Sequence, residues 1–211
     1  MTAQKTKEIF LVRHGTTAYN QEDRLQGRID NPLNERGLAE AEQLAVSLAE
    51  IPFTAVFSSP LERARATARI LTEKSGLPVQ ILPGLIEIDL GSWENRIYQQ
   101  VISDEPGFYR SWLADDTLPI PGGESFRQVY QRLQAPLAEI MACSTDRILV
   151  VGHASVNRAL LAHLLGLAPT TARFFRCGNC HYSRFISYNG CAGEYTVLSA
   201  WNIPPQFKAE K

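Results

Sequence analysis

Three short apolar runs punctuate the chain, and each ends abruptly at polar or glycine residues. Ile9 to Val12 leads into Arg13-His14-Gly15, Ala55-Val56-Phe57 into Ser58-Ser59-Pro60, and Ile148 to Val151 into Gly152-His153. Runs of Val, Ile, Leu and Phe with no polar alternation suit strands covered on both faces. Helical spacing takes over after each. Asn34 can cap a helix whose Leu38, Ala41, Leu44, Ala45 and Leu48 share one face. Leu61 to Glu73 is alanine-rich, with arginines at 63, 65 and 69. Ser125 can cap a helix reaching about Met141, which Pro136 should kink, and Val156 to Leu165 carries another apolar stripe. This alternation predicts an α/β fold, a three-layer sandwich with a mainly parallel central sheet and helices on both faces. Ser103 to Gly123 departs from it, combining loop chemistry with three aromatics. It reads as part of an insertion at about 92–123 that covers a site, within a single domain over 1–211.

In such sheets ligands gather beyond the carboxyl ends of the strands, where helix N-termini also point. Arg13-His14, the Ser58–Arg63 turn and His153 should therefore meet at one edge. Arginine offers planar donors that match phosphate oxygens, and a neutral imidazole attacks phosphorus without first losing a proton. Phosphoryl transfer asks mainly for positioning and charge stabilisation, which this set provides. A leaving oxygen also needs a proton. The run Leu85-Ile86-Glu87-Ile88-Asp89-Leu90-Gly91-Ser92-Trp93-Glu94 sets acids among apolar residues, with Glu87 or Asp89 as the donor.

Composition narrows the partners. Lys and Arg number 21 against 22 Asp and Glu, and no basic run is present, so nucleic acid is not an expected partner. No apolar run reaches membrane-spanning length, and four apolar residues after the N-terminal lysines are too few for a signal-peptide core; a cytoplasmic protein is expected. Cys177-Gly178-Asn179-Cys180-His181 matches the C-x-x-C-H pattern of haem attachment, and as a zinc site it would lack a second ligand pair. The expectation is instead that Cys143, Cys177, Cys180 and Cys191 are reduced, with no metal and no cofactor.

RHGTTAYN, SSPLERARATA, EIDLGSWE and VVGHASVNRALL, in that order and with PGGESFRQVYQRL between the last two, resemble the histidine phosphatase superfamily in its phosphoglycerate mutase-like branch. The matches run from residue 9 to about 166. The resemblance implies that His14 is the nucleophile and forms a phosphohistidine, while Arg13, Arg63, Asn20 and His153 hold the phosphoryl oxygens. Glu87 would protonate the leaving group and later activate water. Gln26-Gly27 would approach the substrate, and the Ala154 N–H would contact phosphate. Tyr19, Asn95 and Ala154 depart from the family pattern, which bears on the substrate more than on the chemistry. The implied activity is metal-independent hydrolysis of a small phosphorylated metabolite of the α-ribazole 5′-phosphate, sugar-phosphate or phosphoserine type. A phosphoglycerate mutase is the alternative, and a non-catalytic phospholigand binder a third reading. A homodimer is compatible with any of these. Between Ile88 and Gly123 stand six acids (Asp89, Glu94, Asp104, Glu105, Asp115, Asp116) and two bases (Arg96, Arg110), a balance that argues against a second anionic group on the substrate. Phe108, Tyr109 and Trp112 are expected to pack on an organic leaving group.

Overall fold

Six strands form one sheet in the computed structural model, which describes residues 5–190 and 193–206. They are β1 (Lys5–Arg13), β2 (Ala55–Ser58), β3 (Val79–Ile81), β4 (Arg147–Gly152), β5 (Tyr182–Gly190) and β6 (Gly193–Ile203), in the order β3-β2-β4-β1-β5-β6. β3, β2, β4 and β1 pair in parallel; β5 joins β1 antiparallel, and β6 closes that edge antiparallel to β5. The three apolar runs are β1, β2 and β4, the inner part of the parallel sheet.

Their lack of polar alternation has a direct cause. Successive side chains of a strand point to opposite faces, and here both faces are covered. Phe10, Val12, Val56, Leu149 and Val151 pack with α2 (Glu35–Ser47) and α3 (Glu62–Thr72), through Ala41, Leu44, Leu48, Ala64 and Ala68. Ile9, Leu11, Phe57, Ile148 and Val150 meet the other layer. Among the described residues that layer holds α4 (Tyr98–Asp104), α5 (Pro106–Ala114), α6 (Phe126–Arg132), α7 (Gln134–Ala142), α8 (Ala154–Leu165) and α9 (Pro169–Ala172), while a short α1 (Ala18–Gln21) follows β1. The three-layer α/β expectation holds. No helix among the described residues is long and apolar enough to cross a membrane.

Three local expectations change. Asn34 caps α2 by accepting the Gly37 N–H at 2.9 Å, yet Leu38 is 42% exposed and lies off the buried stripe. Ser125 caps α6 in a reciprocal capping box with Gln128. The helix it opens ends at Arg132, and a second begins at Gln134. Pro136 lacks an N–H for the Arg132 carbonyl, and its ring crowds that same carbonyl, so the break falls one turn before the proline. The segment 103–123 is not a loop throughout: most of it is the end of α4 and all of α5, whose first residue is Pro106. Proline at the first helical position loses no intrahelical bond, so it starts a helix there. Cys143, Cys177 and Cys180 are free thiols, and Cys191 lies outside the described residues.

Candidate active site

β1, β2 and β4 end in register, with Arg13 paired to Gly152 and Ser58 to Val151. The residues just beyond them line, or lie beneath, a cleft of about 640 Å3. Gly15 follows the histidine because α2 comes in close: a Cβ there would lie 2.5 Å from the Gly37 carbonyl oxygen.

His14 is buried and its Nδ1 lies 2.7 Å from the Gly15 carbonyl. A carbonyl can only accept, so Nδ1 carries the proton and the Nε2 lone pair is left free. Burial first, then the Arg63 and Arg13 charges, hold the imidazole well below its ordinary pKa of 6.5, so the ring is neutral near pH 7. His153 lies next to it, ring centroids 5.1 Å apart. It is fully buried and is likewise held neutral by burial and then by Arg63. Its Nε2 is 2.7 Å from the Ser59 hydroxyl, while its Nδ1 has no partner.

The arginines are anchored by backbone carbonyls rather than carboxylates. Arg13 donates from Nη1 to Cys177 O at 2.7 Å, and its buried Nε has no partner. Arg63 donates to Ile29 O and Gly27 O, both at 2.7 Å, and burial pushes its pKa down to about 10. Neither forms a salt bridge with a described residue, so each keeps charge for a ligand. Gly27 presents that carbonyl with φ +53°, and a methyl group there would overlap the Glu94 carboxylate. Glu94 in turn accepts the Arg28 N–H at 2.7 Å.

Asn20 takes three donors on Oδ1, from the Thr17 N–H (3.2 Å), the Thr17 hydroxyl (3.1 Å) and Asn179 Nδ2 (3.1 Å), which leaves its amide NH2 as the free end. Gln26 is held by the Thr17 hydroxyl at 2.9 Å. Glu87 lines the cleft, its carboxylate accepting from the Ile88 N–H (2.9 Å) and the Ser155 N–H (3.3 Å) in the first turn of α8. Ala154, the first residue of α8, also lines the cleft. Asp89 does not. It accepts the Gly91 N–H at 2.9 Å and pairs with Arg28, which leaves Glu87 as the carboxylate of that run in the cleft.

Of the expected aromatics, Tyr109 and Trp112 line the cleft, whereas Phe108 stacks edge-on against the buried Trp93. The acid count over Ile88 to Gly123 misjudged the cleft. Arg28 holds Asp89, Arg96 holds Asp104 and Glu105, Arg127 holds Asp116, Thr117 holds Asp115, and none of the six acids lines the cavity.

Some contributors were not anticipated. Asn179, inside the C-G-N-C-H turn, donates to His14 O at 3.0 Å as well as to Asn20. The turn is thus a brace: Cys177 O receives Arg13, and the Cys180 N–H donates to Arg13 O at 3.0 Å. Arg132 holds the Glu87 segment by donating to Ile86 O (2.8 Å) and Glu87 O (3.1 Å). Arg158 and Arg173 also line the cleft. Arg158 had a signal, standing four residues after Ala154 and so on the same side of α8. Arg173 had none.

Fold and site define an α/β protein with a cationic cleft at the carboxyl edge of its sheet, centred on a neutral histidine. The chain belongs to the histidine phosphatase superfamily (branch 1), whose sequence pattern matches residues 9–203. It is 34% identical over 179 residues to the probable phosphoglycerate mutase GpmB of Enterobacter sp. (strain 638), covering 84% of this chain and 83% of that one. It is 35% identical over 170 residues to the adenosylcobalamin/alpha-ribazole phosphatase of Escherichia coli (strain K12), covering 80% and 84%. The solved mycobacterial glucosyl-3-phosphoglycerate phosphatase complexed with VO3 superposes with a TM-score of 0.84 at 31% identity, over 93% of this chain and 99% of that one.

Proposed function

We propose that the chain is a phosphomonoesterase that hydrolyses a small phosphorylated metabolite through a phosphohistidine on His14 Nε2. The observation that carries this is the His14 ring itself: buried, neutral, with Nδ1 tied to Gly15 O and Nε2 free, between two arginines that have no carboxylate partner. Nε2 attacks phosphorus and the ester oxygen leaves. Arg13, Arg63 and the Asn20 amide take the equatorial oxygens, whose charge they stabilise most strongly in the transition state. With the Ser59 hydroxyl donating to Nε2 of His153, the Nδ1–H of that ring is a further donor.

Glu87 protonates the leaving oxygen, then takes a proton from the water that attacks phosphohistidine, restoring the starting enzyme. Gln26, Gly27 and the Ala154 N–H border the same phosphoryl position, and residues 92–123 cover the leaving-group side. No step calls on a metal. The alternative is transfer of the same phosphoryl group to a second hydroxyl, as the name of the Enterobacter relative suggests for that protein.

The test is p-nitrophenyl phosphate hydrolysis in EDTA, wild type against His14→Ala, with intact-mass detection of an acid-labile phosphoryl adduct. Loss of turnover on the order of 10³-fold or more, together with loss of the adduct, is expected. Undiminished turnover in the variant would refute the assignment. Isomerisation of 3-phosphoglycerate faster than its hydrolysis would favour the mutase.

A further inference from the structure

Besides Arg13 and Arg63, the cleft lining holds a second set of donors. Arg173 is 8% exposed, and its guanidinium lies 4.0 Å over the Trp112 ring and 5.5 Å from the Phe126 ring. Its Nη1 donates to Trp112 O, but its buried Nη2 has no partner among the described residues. The buried Nε1 of Trp112 has none either. Arg158 is fixed by Nε donating to Phe175 O at 2.7 Å and forms no salt bridge with a described carboxylate. All three residues line the cleft.

Buried donors without acceptors are rare in folded proteins unless a ligand or water serves them. Charge points the same way. Of the five arginines that line the cleft (13, 24, 63, 158, 173), Arg24 is paired with Glu22, which leaves four against the lining carboxylates Asp23 and Glu87. Burial lowers the pKa of Arg13 and of Arg173, and the charge of Arg158 lowers both further, while the buried Asp116 carboxylate opposes this at Arg173. Asp116 pairs with Arg127 rather than with Arg173, so a monoester whose only charge is its phosphate would leave the Arg173 Nη2 without a direct partner among the described residues.

We propose that Arg173, Arg158 and the Trp112 Nε1 form a second anion-binding subsite, so that the natural substrate carries, beyond its phosphate ester, a second anionic group. This rests on the phosphomonoesterase reading and extends it to a substrate class. The aromatic rings fix the Arg173 plane, which suits paired hydrogen bonds to a carboxylate or a second phosphate.

Binding decides it independently of turnover. In the His14→Ala background, dissociation constants are measured by calorimetry for matched pairs: 3-phosphoglycerate against glycerol 3-phosphate, and 6-phosphogluconate against glucitol 6-phosphate. Fructose 1,6-bisphosphate against fructose 6-phosphate asks whether phosphate serves instead of carboxylate. The doubly anionic member of at least one pair should bind roughly tenfold or more tightly, and Arg173→Gln should remove most of that preference. Arg158→Gln and Trp112→Phe, which keeps the ring beneath the guanidinium, should each weaken it and guard against a folding defect in the first variant. Equal affinities within every pair, or equal weakening of both members, would overturn the subsite. Absence of hydrolysis by wild type with the preference intact would instead overturn the hydrolase reading and leave the subsite standing.

Discussion

Acidification should destabilise this protein through two buried histidines of the cleft region. His14 and His153 are held neutral in the folded state by burial and by Arg63, with His14 also repelled by Arg13. In the unfolded chain each imidazole returns to its ordinary pKa of 6.5. Because the folded value is the lower one, the unfolded chain binds the proton first as pH falls. The contribution to stability is therefore complete above the unfolded value and is lost progressively below it. From pH 7 to about pH 5, a ring that stays neutral in the folded protein forfeits about 2 kcal/mol relative to its unfolded form, and two such rings about 4 kcal/mol.

Urea denaturation followed by tryptophan fluorescence, in phosphate-free buffer so that no bound anion opposes the shift, isolates this term when wild type is compared with His153→Gln. The variant should start less stable, yet lose about 2 kcal/mol less than wild type over that interval. The double variant with His14→Gln should lose about 4 kcal/mol less, since the two rings titrate separately once unfolded. Parallel stability curves for wild type and His153→Gln would mean that His153 takes up its proton in the folded protein, and the reasoning from burial would fail.

Three substitutions probe the contacts around the site. Asn179→Ala removes donors to His14 O and Asn20 Oδ1, two hydrogen bonds of about 1 kcal/mol each, and should lower kcat/KM for p-nitrophenyl phosphate roughly tenfold. Arg132→Gln should lower kcat more than it raises KM, because it loosens the Glu87 segment without touching Arg13 or Arg63; an equal change in both would argue against positioning. Gly27→Ala places a side chain at φ +53° against Glu94 and should reduce stability by about 1–3 kcal/mol in the same urea assay, with KM for phosphate esters raised through the Arg63 anchor.

The portions legible in the sequence share a physical character. β1, β2 and β4 are covered on both faces, so each had to be a continuous apolar run, and the residues after each run fall at the sheet edge. That rule reached His14, Arg13, Arg63 and His153 together. α5 was obscured because Pro106-Gly107 resembles a turn until its place at the first helical position is known. Asn179 and Arg173 were missed for another reason. Their roles depend on which carbonyls and rings they meet across the fold, and local spacing carries little of that information. The acid count failed likewise, since a charge tally over a segment cannot tell a carboxylate facing the cleft from one already held by Arg96 or Arg127.

The place of β1 in the sheet bears on how the enzyme is made. The strand that carries Arg13 and leads into His14 is made well before its neighbours β4 and β5, which begin at residues 147 and 182. Until residue 147 has been passed, β1 lacks both hydrogen-bonded neighbours, and until residue 180 has been added, Arg13 and His14 lack the Cys177–Cys180 brace. Contacts this distant in sequence form slowly and leave apolar strands exposed in the meantime. Activity should thus appear late during synthesis, and a nascent chain stalled before residue 147 should offer chaperones an unpaired Ile-Phe-Leu-Val strand rather than a working site.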